Sequence, residues 1–470
     1  MEIQSCGAAQ EVTGSCHLIK VGDKNILLDC GLIQGRAKDE ARNRDPLLFD
    51  PAKLDAIILS HAHIDHSGRL PLLIKAGFKG PIYTHKASAD LCDTLLRDSA
   101  YLNYKNTQWE NKRREREGKK LLEPLYEKDD AEKALELFAP LEYGEKKEIV
   151  PGVTICLSDA GHIVGSAIVE IWLKEGELER KVVFSGDLGH RGTAILRDFT
   201  MIDSADLVLM ESTYGNRLHR PWQDTWDEID DIVTQIKNKP GNVLIPAFSV
   251  GRTQNILYMF ARNYEKWGLQ DWKIFLDSPM AIEATDIYLR HHQLYDKEAS
   301  EFWRDRGSLM GMSNLTFSRS SADSMKINKI KDGAIVIAGS GMMTGGRIKH
   351  HIKHNIWRPE CHLIVTGYQS NGSLGRKLVE GAKRVRLFGS RVRVKAKIHT
   401  IGGLSAHTDQ KGLIDWYSNF KSRPPVFLVH GEARTMKALQ KKMRSDLNAP
   451  VHIARTGSII DLDNLEQYSK

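Results

Sequence analysis

Three histidines and an aspartate fall within six positions in the stretch HAHIDHSG, residues 61 to 68. Imidazole nitrogens and carboxylate oxygens are the donors that zinc and related ions take from proteins. The apolar run AIILS leads into His61, which therefore stands where a buried strand ends. His61 and His63, two apart in extended chain, project to the same side. After the turn, Asp65 and His66 present a second donor set at the start of the following helix. Four donors in one turn of chain crowd a single ion that must also keep an open position. Two ions about 3.5–4 Å apart, sharing the cluster, fit better.

A dinuclear centre needs further donors, including a carboxylate shared by both ions. The turns that follow apolar strands supply them: His162 in DAGHIVGS, Asp187 in FSGDLG and His430 in LVHGE. Each alone reads as an ordinary loop residue; beside HAHIDH, ligation becomes the better account. Asp29, in NILLDCG, is placed as the acceptor that orients a ligand histidine from behind.

The elements that must position these residues fall into two styles. A chain of 470 residues exceeds one ordinary core, so two domains are expected. The first stretch reads as short strands with glycine-rich turns, followed by a helical segment near Leu70 to Lys75. From 101 to 143 the sequence is highly charged and reads as a solvated helical insertion. After Tyr214, strands alternate with helices, and NVLIPAFSVGRTQ, KIFLDSPMA, AIVIAGSGMMTGGR and HLIVTGYQSNGSLG look like buried strands ending in glycine-rich loops. That order implies a parallel sheet flanked by helices. The short-strand style returns near 386. The expected division is 1–214, an inserted domain over 215–385, and a return to the first domain over 386–470.

Composition narrows the class. Hydrophobic residues make up 41% and charged residues 27% of the chain, the balance of a soluble globular protein. No apolar run approaches the roughly 20 residues of a membrane helix, and MEIQSCGAAQEV has no secretory pattern, so a cytoplasmic location is expected. The six cysteines form no CxxC pair and read as reduced, mostly buried side chains. Net charge is +7. It is concentrated between Arg376 and Lys397, where nine basic residues stand against Glu380 alone. Within that stretch RVRVKAK alternates as a strand with one basic face does. Taken alone, it is equally a solubilising edge strand or a track for a polyanion.

HAHIDH, with Asp29, His162 and Asp187, resembles the metallo-β-lactamase fold, an α/β protein built as an αββα sandwich. By position, the resemblance implies that His61, His63 and His162 hold one zinc. Asp65, His66 and a late histidine, His430, hold the other, with Asp187 bridging; Mn²⁺ or Fe are the alternative metals. The family's hydrolases use the water between the ions as nucleophile. MESTYG with Glu211, GLSAHTD with His407, and LVHGE with His430 resemble the three motifs of the β-CASP nucleases, whose β-CASP domain is inserted as inferred above. AFSVGRTQ, LDSPMA and GSGMMTGGR resemble the branch containing the pre-mRNA 3′-end cleavage endonuclease and its prokaryotic relatives. The pattern is expected to stand without a preceding KH-type region or a further C-terminal domain.

The resemblance implies a zinc-dependent ribonuclease, endo- or exonucleolytic, acting on RNA that is expected to be single-stranded. Histidine rather than valine at the third motif, His430, favours RNA over DNA. His407 is the candidate general acid, oriented by Glu211, with Asp65 and Asp187 completing the catalytic group. Candidate substrate contacts are Ser249 as a helix cap with Arg252 beside it, Ser340, Gly341 and Arg347 as a phosphate nest, and Ser405. For Ser249, an ordinary N-cap is an equal reading. A homodimer is a family-level expectation. The alternatives are a small-molecule metallohydrolase of the same fold and a catalytically inactive RNA-binding scaffold.

Overall fold

The computed structural model describes residues 1–237, 241–306, 311–367, 369–370 and 372–469. Tyr368 and Asn371, in the glycine-rich loop expected after HLIVTG, lie outside them. The chain divides into two compact units, one comprising Met1–Arg191, Asp198–Leu218 and His407–Lys470, the other Gly192–Arg197 and His219–Ala406.

In the first unit two seven-stranded sheets share a core. One sheet runs, in spatial order, Ile459–Asp461, Glu2–Gly7, Cys16–Val21, Lys24–Leu28, Ala56–Ile58, Ile82–His85 and Phe138–Leu141. The other runs Val451–Ile453, Val426–Val429, Leu207–Glu211, Leu178–Phe184, Ala167–Glu175, Val153–Asp159 and Lys146–Val150. Alternate side chains bury on the inner faces, so Ile3, Ile19, Ile26 and Ile58 meet Ile155, Val169, Ile171, Phe184 and Leu209. The outer face of the second sheet, with Val183, Val208, Met210 and Leu428, is covered by Trp416, Tyr417, Leu439 and Met443 of the helices Gln410–Ser418 and Ala433–Leu447. Helices Leu70–Lys75, Lys86–Arg116 and Lys128–Glu136 pack beside the first sheet. The layering is helix, sheet, sheet, helix.

The second unit is a six-stranded sheet in which every pairing is parallel. Its order is Leu315–Phe317, Lys273–Leu276, Ala334–Ala338, Val243–Pro246, His362–Val365 and Lys397–Thr400. Both faces are covered, so its central strands Val243–Pro246, Ala334–Ala338 and His362–Val365 are buried at every position rather than alternating. Ile245, Ile335 and Ile337 pack to one side with Ile256, Phe260 and Trp272. Leu244, Val336 and Leu363 pack to the other with Ile348, Ile352 and Leu378.

Three expectations are corrected. The charged tract after 101 does not begin a new element, because the 31-residue helix Lys86–Arg116 runs on into it. RVRVKAK is not one strand: Ser390–Arg393 closes a hairpin with Arg384–Leu387, whereas Lys397–Thr400 joins the parallel sheet beside His362–Val365. That last pairing keeps the chain in the second unit through Ala406, so it re-enters the first at His407 rather than near 386. Of the cysteines, Cys6 is half-buried and the other five are buried, all as free thiols. Among the described residues, no helix is long and apolar enough to cross a membrane.

One close backbone approach holds the HAHIDH turn in place. Ser15 and Leu32 N–H groups donate to the Asp65 and Ile64 carbonyls at 2.9 and 2.8 Å, and Cys30 N–H donates to the His66 carbonyl at 2.8 Å. Gly31 lies between them, where a Cβ would stand 1.6 Å from the Asp65 carbonyl oxygen and 2.6 Å from the His66 nitrogen. Gly31→Ala should therefore cost at least roughly 1–3 kcal/mol as overpacking. It should also displace Asp65 and His66, so both the unfolding midpoint and the metal bound per chain fall. Gly345→Ala, where a Cβ meets nothing within 4 Å, should leave both at the wild-type value.

Candidate metal centre

Asp29 anchors the site from beneath. It follows the strand Lys24–Leu28 and is fully buried. Its Oδ1 accepts from the Ser60 N–H at 2.8 Å, and its Oδ2 accepts from the Ser60 and Ser15 hydroxyls at 3.0 and 2.9 Å. Oδ2 also lies 2.7 Å from His66 Nδ1. That contact puts the proton on Nδ1 and leaves Nε2 as the donor facing the cluster. Asp29 and His430 have φ of 59° and 48°, a region that costs most side chains energy. Both backbones are pinned, Asp29 N–H to the Ile58 carbonyl at 2.9 Å and His430 N–H to the Ala8 carbonyl at 2.7 Å.

The donor atoms form two groups. In the first, His63 Nδ1 lies 3.1 Å from both His61 Nε2 and His162 Nε2. Asp187 Oδ2 stands 3.4 and 3.6 Å from those two Nε2 atoms. An ion held tetrahedrally at about 2.1 Å needs donors about 3.4 Å apart, so these separations suit one cation. In the second group, His66 Nε2 and His430 Nε2 are 3.2 Å apart, and Asp65 Oδ2 is 3.5 Å from His430 Nε2. The same Asp187 Oδ2 lies 3.4 Å from His66 Nε2, so one oxygen reaches both groups. Asp187 Oδ1 is buried and, among the described residues, has no hydrogen-bond donor. A buried carboxylate left this way costs several kcal/mol without a compensating cation. The donor set therefore fits divalent metal.

Electrostatics supports the same reading. Burial pushes His61 and His162 below the ordinary imidazole range and His63 down to about 3, leaving neutral rings with lone pairs to donate. Burial opposes ionisation of Asp65 and Asp187, but the surrounding histidines overcome it and hold both carboxyls well below the usual range.

His407 stands at the edge of this cluster. The Thr408 N–H donates to the Leu188 carbonyl at 2.8 Å, which fixes the loop, and His407 Nδ1 lies 3.2 Å from Glu211 Oε1. Glu211 is fully buried and itself accepts from the Leu188 and Thr213 N–H groups at 2.9 and 3.1 Å. His407 Nε2 is 3.9 Å from Asp187 Oδ2, beside the donors of both groups. Burial disfavours the imidazolium, yet the Glu211 and Asp187 carboxylates outweigh it and push His407 up to about 10. The arrangement can bind cations and hold a proton next to them.

All nine of these residues and Asp29 come together in the first unit. The candidate substrate contacts belong to the second. Ser249, Arg252, Ser340, Gly341 and Arg347 follow the C-terminal ends of Val243–Pro246 and Ala334–Ala338, and Ser405 lies near the end of that unit. Two assignments are corrected there. Ser249 does not cap its helix: Gly251 holds the N-cap of Arg252–Arg262, and Ser249 Oγ instead lies 3.4 Å from Ser278 Oγ. One donor of the nest is taken within its own loop, since the Ser340 N–H donates to the Gly345 carbonyl at 3.4 Å. Arg347 donates to Asp277 Oδ1 at 2.8 Å and to the Ser318 carbonyl at 2.7 Å. Gly341 backs onto the Phe248 ring, 2.9 Å from where its Cβ would be. Sequence reasoning missed Asp277 and His351, whose carboxylate and Nε2 are 2.5 Å apart and fully buried. The aspartate after a buried strand in KIFLD was the available signal. It also missed Thr213, whose hydroxyl lies 3.1 Å from His430 Nδ1.

Comparison with known proteins agrees with this geometry. Residues 9–146 match the metallo-beta-lactamase superfamily, 253–378 the Beta-Casp domain, and 391–454 the Zn-dependent metallo-hydrolase RNA specificity domain. The chain is 39% identical over 441 residues to ribonuclease TTHA0252 of Thermus thermophilus, covering 94% of this chain and 95% of that protein. It is 30% identical over 474 residues to the transcription termination factor FttA of Thermococcus kodakarensis, covering 96% and 70%. A crystal structure of a protein of unknown function from Enterococcus faecalis V583 superposes with a TM-score of 0.55 at 13% identity, covering 98% of this chain and 99% of that one. The last likeness concerns fold alone.

The Asp29 contacts generate a test. In Asp29→Asn the amide nitrogen replaces an acceptor that now serves three donors, so His66 loses its orienting partner. Affinity for a divalent cation should fall about 10–100-fold with the fold retained. Competition against a chromophoric chelator measures it; unchanged affinity would exclude an orienting role.

Proposed function

We propose that this chain, which belongs to the β-CASP family of the metallo-β-lactamase superfamily, is a metal-dependent ribonuclease that hydrolyses single-stranded RNA through a two-zinc centre. His61, His63 and His162 would hold one ion, Asp65, His66 and His430 the other, with Asp187 joining them; Mn²⁺ or Fe would use the same donors. When bound, such ions activate water and neutralise charge on a phosphoryl group. The proposed setting is the cytoplasm. The resemblance to an RNA-specificity domain and to a ribonuclease supports RNA as the substrate.

The observation that carries the reading is the His407–Glu211 pair, with His407 Nε2 3.9 Å from the shared Asp187 oxygen. Phosphodiester hydrolysis expels an alkoxide, a poor leaving group unless it receives a proton in the transition state. A small-molecule hydrolase with a better leaving group has no such need. His407 is held as the imidazolium, and the Glu211 carboxylate accepts at Nδ1, so Nε2–H is the proton that can be given away. Glu211 is fixed by two backbone N–H groups and positions the ring. Asp65 and Asp187 hold negative charge against the ligand histidines.

The direct test incubates the purified protein with 5′- and 3′-labelled single-stranded RNA, with and without chelator. Metal-dependent products are expected, and their sizes distinguish internal from terminal cleavage; no cleavage with metal loaded would overturn the reading. His407→Ala should lower kcat by about 10²–10⁴-fold while bound metal stays unchanged, as elemental analysis would report.

The pH dependence has a definite sign. A general acid works while protonated, so kcat should hold below the His407 pKa and fall tenfold per unit above it. Glu211 raises His407 above the ordinary imidazole range, so that alkaline limb lies above the pH at which a free imidazole loses its proton. Glu211→Gln removes a charge that raises the pKa, so its limb should move to lower pH. A limb that stays in place would exclude His407 as the acid.

A further inference from the structure

The hairpin formed by Arg384–Leu387 and Ser390–Arg393 carries a charge pattern that its own stability does not explain. Its register sets Arg384 opposite Arg393 and Arg386 opposite Arg391, so four guanidinium groups line one face. Val385 opposite Val392 occupies the other face, where Val385 is buried. All four arginines are exposed. Like charges directly opposite across strands destabilise the pair. Glu380, the one acid of this stretch, is bonded to Arg376 at 2.7 Å. Among the described residues, no acid lies within ion-pair distance of the four arginines. Lys383, Lys395 and Lys397, all exposed, extend the same charge.

An aromatic ring stands at the tip of this hairpin. Phe388 keeps 50% of its surface exposed. The His350 ring stacks against it at 4.4 Å and 28°. Lys349 and Lys353, on the helix Ile348–Asn355, hold their ammonium groups 5.3 and 5.6 Å from its centroid. A large exposed phenylalanine fixed among cations, next to unneutralised arginines, combines a stacking platform with a phosphate track.

Resting on the reading that RNA is the substrate, we propose that this hairpin and the helix beside it form an accessory binding surface for single-stranded RNA. Arg384, Arg386, Arg391 and Arg393 would contact successive phosphates, and Phe388 would stack a base. A duplex supplies phosphates but no unstacked base, and an acidic peptide has no use for the ring; the surface fits an unpaired strand.

The test measures equilibrium binding of a fluorescein-labelled single-stranded RNA by anisotropy across a salt series. Wild type is compared with Arg386→Ser/Arg391→Ser and with Phe388→Ala. The double variant should bind about tenfold more weakly at low salt, and its log–log salt slope should shrink by roughly 1.4, two phosphate contacts at about 0.7 each. Phe388→Ala should lose about tenfold with the slope unchanged, because stacking releases no counterions. Since the arginine pairs repel, the double variant should unfold no lower than wild type, which separates lost binding from lost folding. Unchanged affinity and slope in both variants would overturn the surface, as would equal binding of duplex and single strand by wild type. Wild type that binds through this surface but leaves labelled RNA intact would instead overturn the nuclease reading alone.

Discussion

One oxygen ties the catalytic unit together. Asp187 Oδ2 lies within 3.9 Å of nitrogens from His61, His66, His162 and His407, in a place from which water is nearly excluded. Negative charge in such a place is tolerable only when positive charge is brought to it. Three of the neighbouring histidines are held neutral by burial, so the protein supplies lone pairs where it could have supplied protons. The arrangement is complete only with a cation. His407 and His66 are the exceptions: Glu211 and Asp187 face the first, Asp187 and Asp29 the second, and both are raised above the ordinary imidazole range. Binding metal and holding a transferable proton thus depend on the same carboxylate.

Strand direction explains how residues so distant in sequence reach that oxygen. Leu178–Phe184, Leu207–Glu211 and Val426–Val429 are neighbours and parallel. Their C-terminal ends therefore share one edge of the sheet and deliver Asp187, Glu211 and His430 side by side. In the facing sheet, Lys24–Leu28 and Ala56–Ile58 are likewise parallel, which sets Asp29 beside the start of HAHIDH. Side chains at the ends of parallel strands are carried by rigid backbone yet escape the sheet's own hydrogen bonding. The left-handed backbones at Asp29 and His430 aim the last two side chains, and strain of this kind persists only where surrounding hydrogen bonds hold it.

This logic also marks what could be read from sequence. HAHIDH and the strand-end residues were legible because donor type and strand periodicity are local properties, and a buried strand announces its own end. The division into a mixed-sheet part and a parallel-sheet part was legible for the same reason. The contacts of the inserted unit were not, because long-range partners decide them. Arg347 looks free in GSGMMTGGR, but Asp277, 70 residues earlier, claims its guanidinium. Ser249 has the right type for a helix cap, yet Gly251, with φ of 81°, takes the position. RVRVKAK alternates as one strand would, and only the partners on either side divide it between two sheets. Periodicity reports which face of a segment is buried; it says nothing of which neighbour buries it.

The charges that remain unmatched are as informative as those that pair. Elsewhere ionic groups pair across the fold, as Arg42 does with Glu11 and Lys181 with Glu170. Unmatched charge gathers at two places of opposite character. In one, acids and neutral imidazoles are buried with too little positive charge. In the other, guanidinium groups stand in solvent with no acid near. Buried excess is intolerable without a tightly held cation of fixed geometry, whereas exposed excess is screened by mobile ions that any polyanion can displace. The first therefore demands a specific inorganic partner and the second accepts an extended, sequence-tolerant one. A nuclease needs that combination: exact placement of the phosphate being cut, and loose hold on the many that are not.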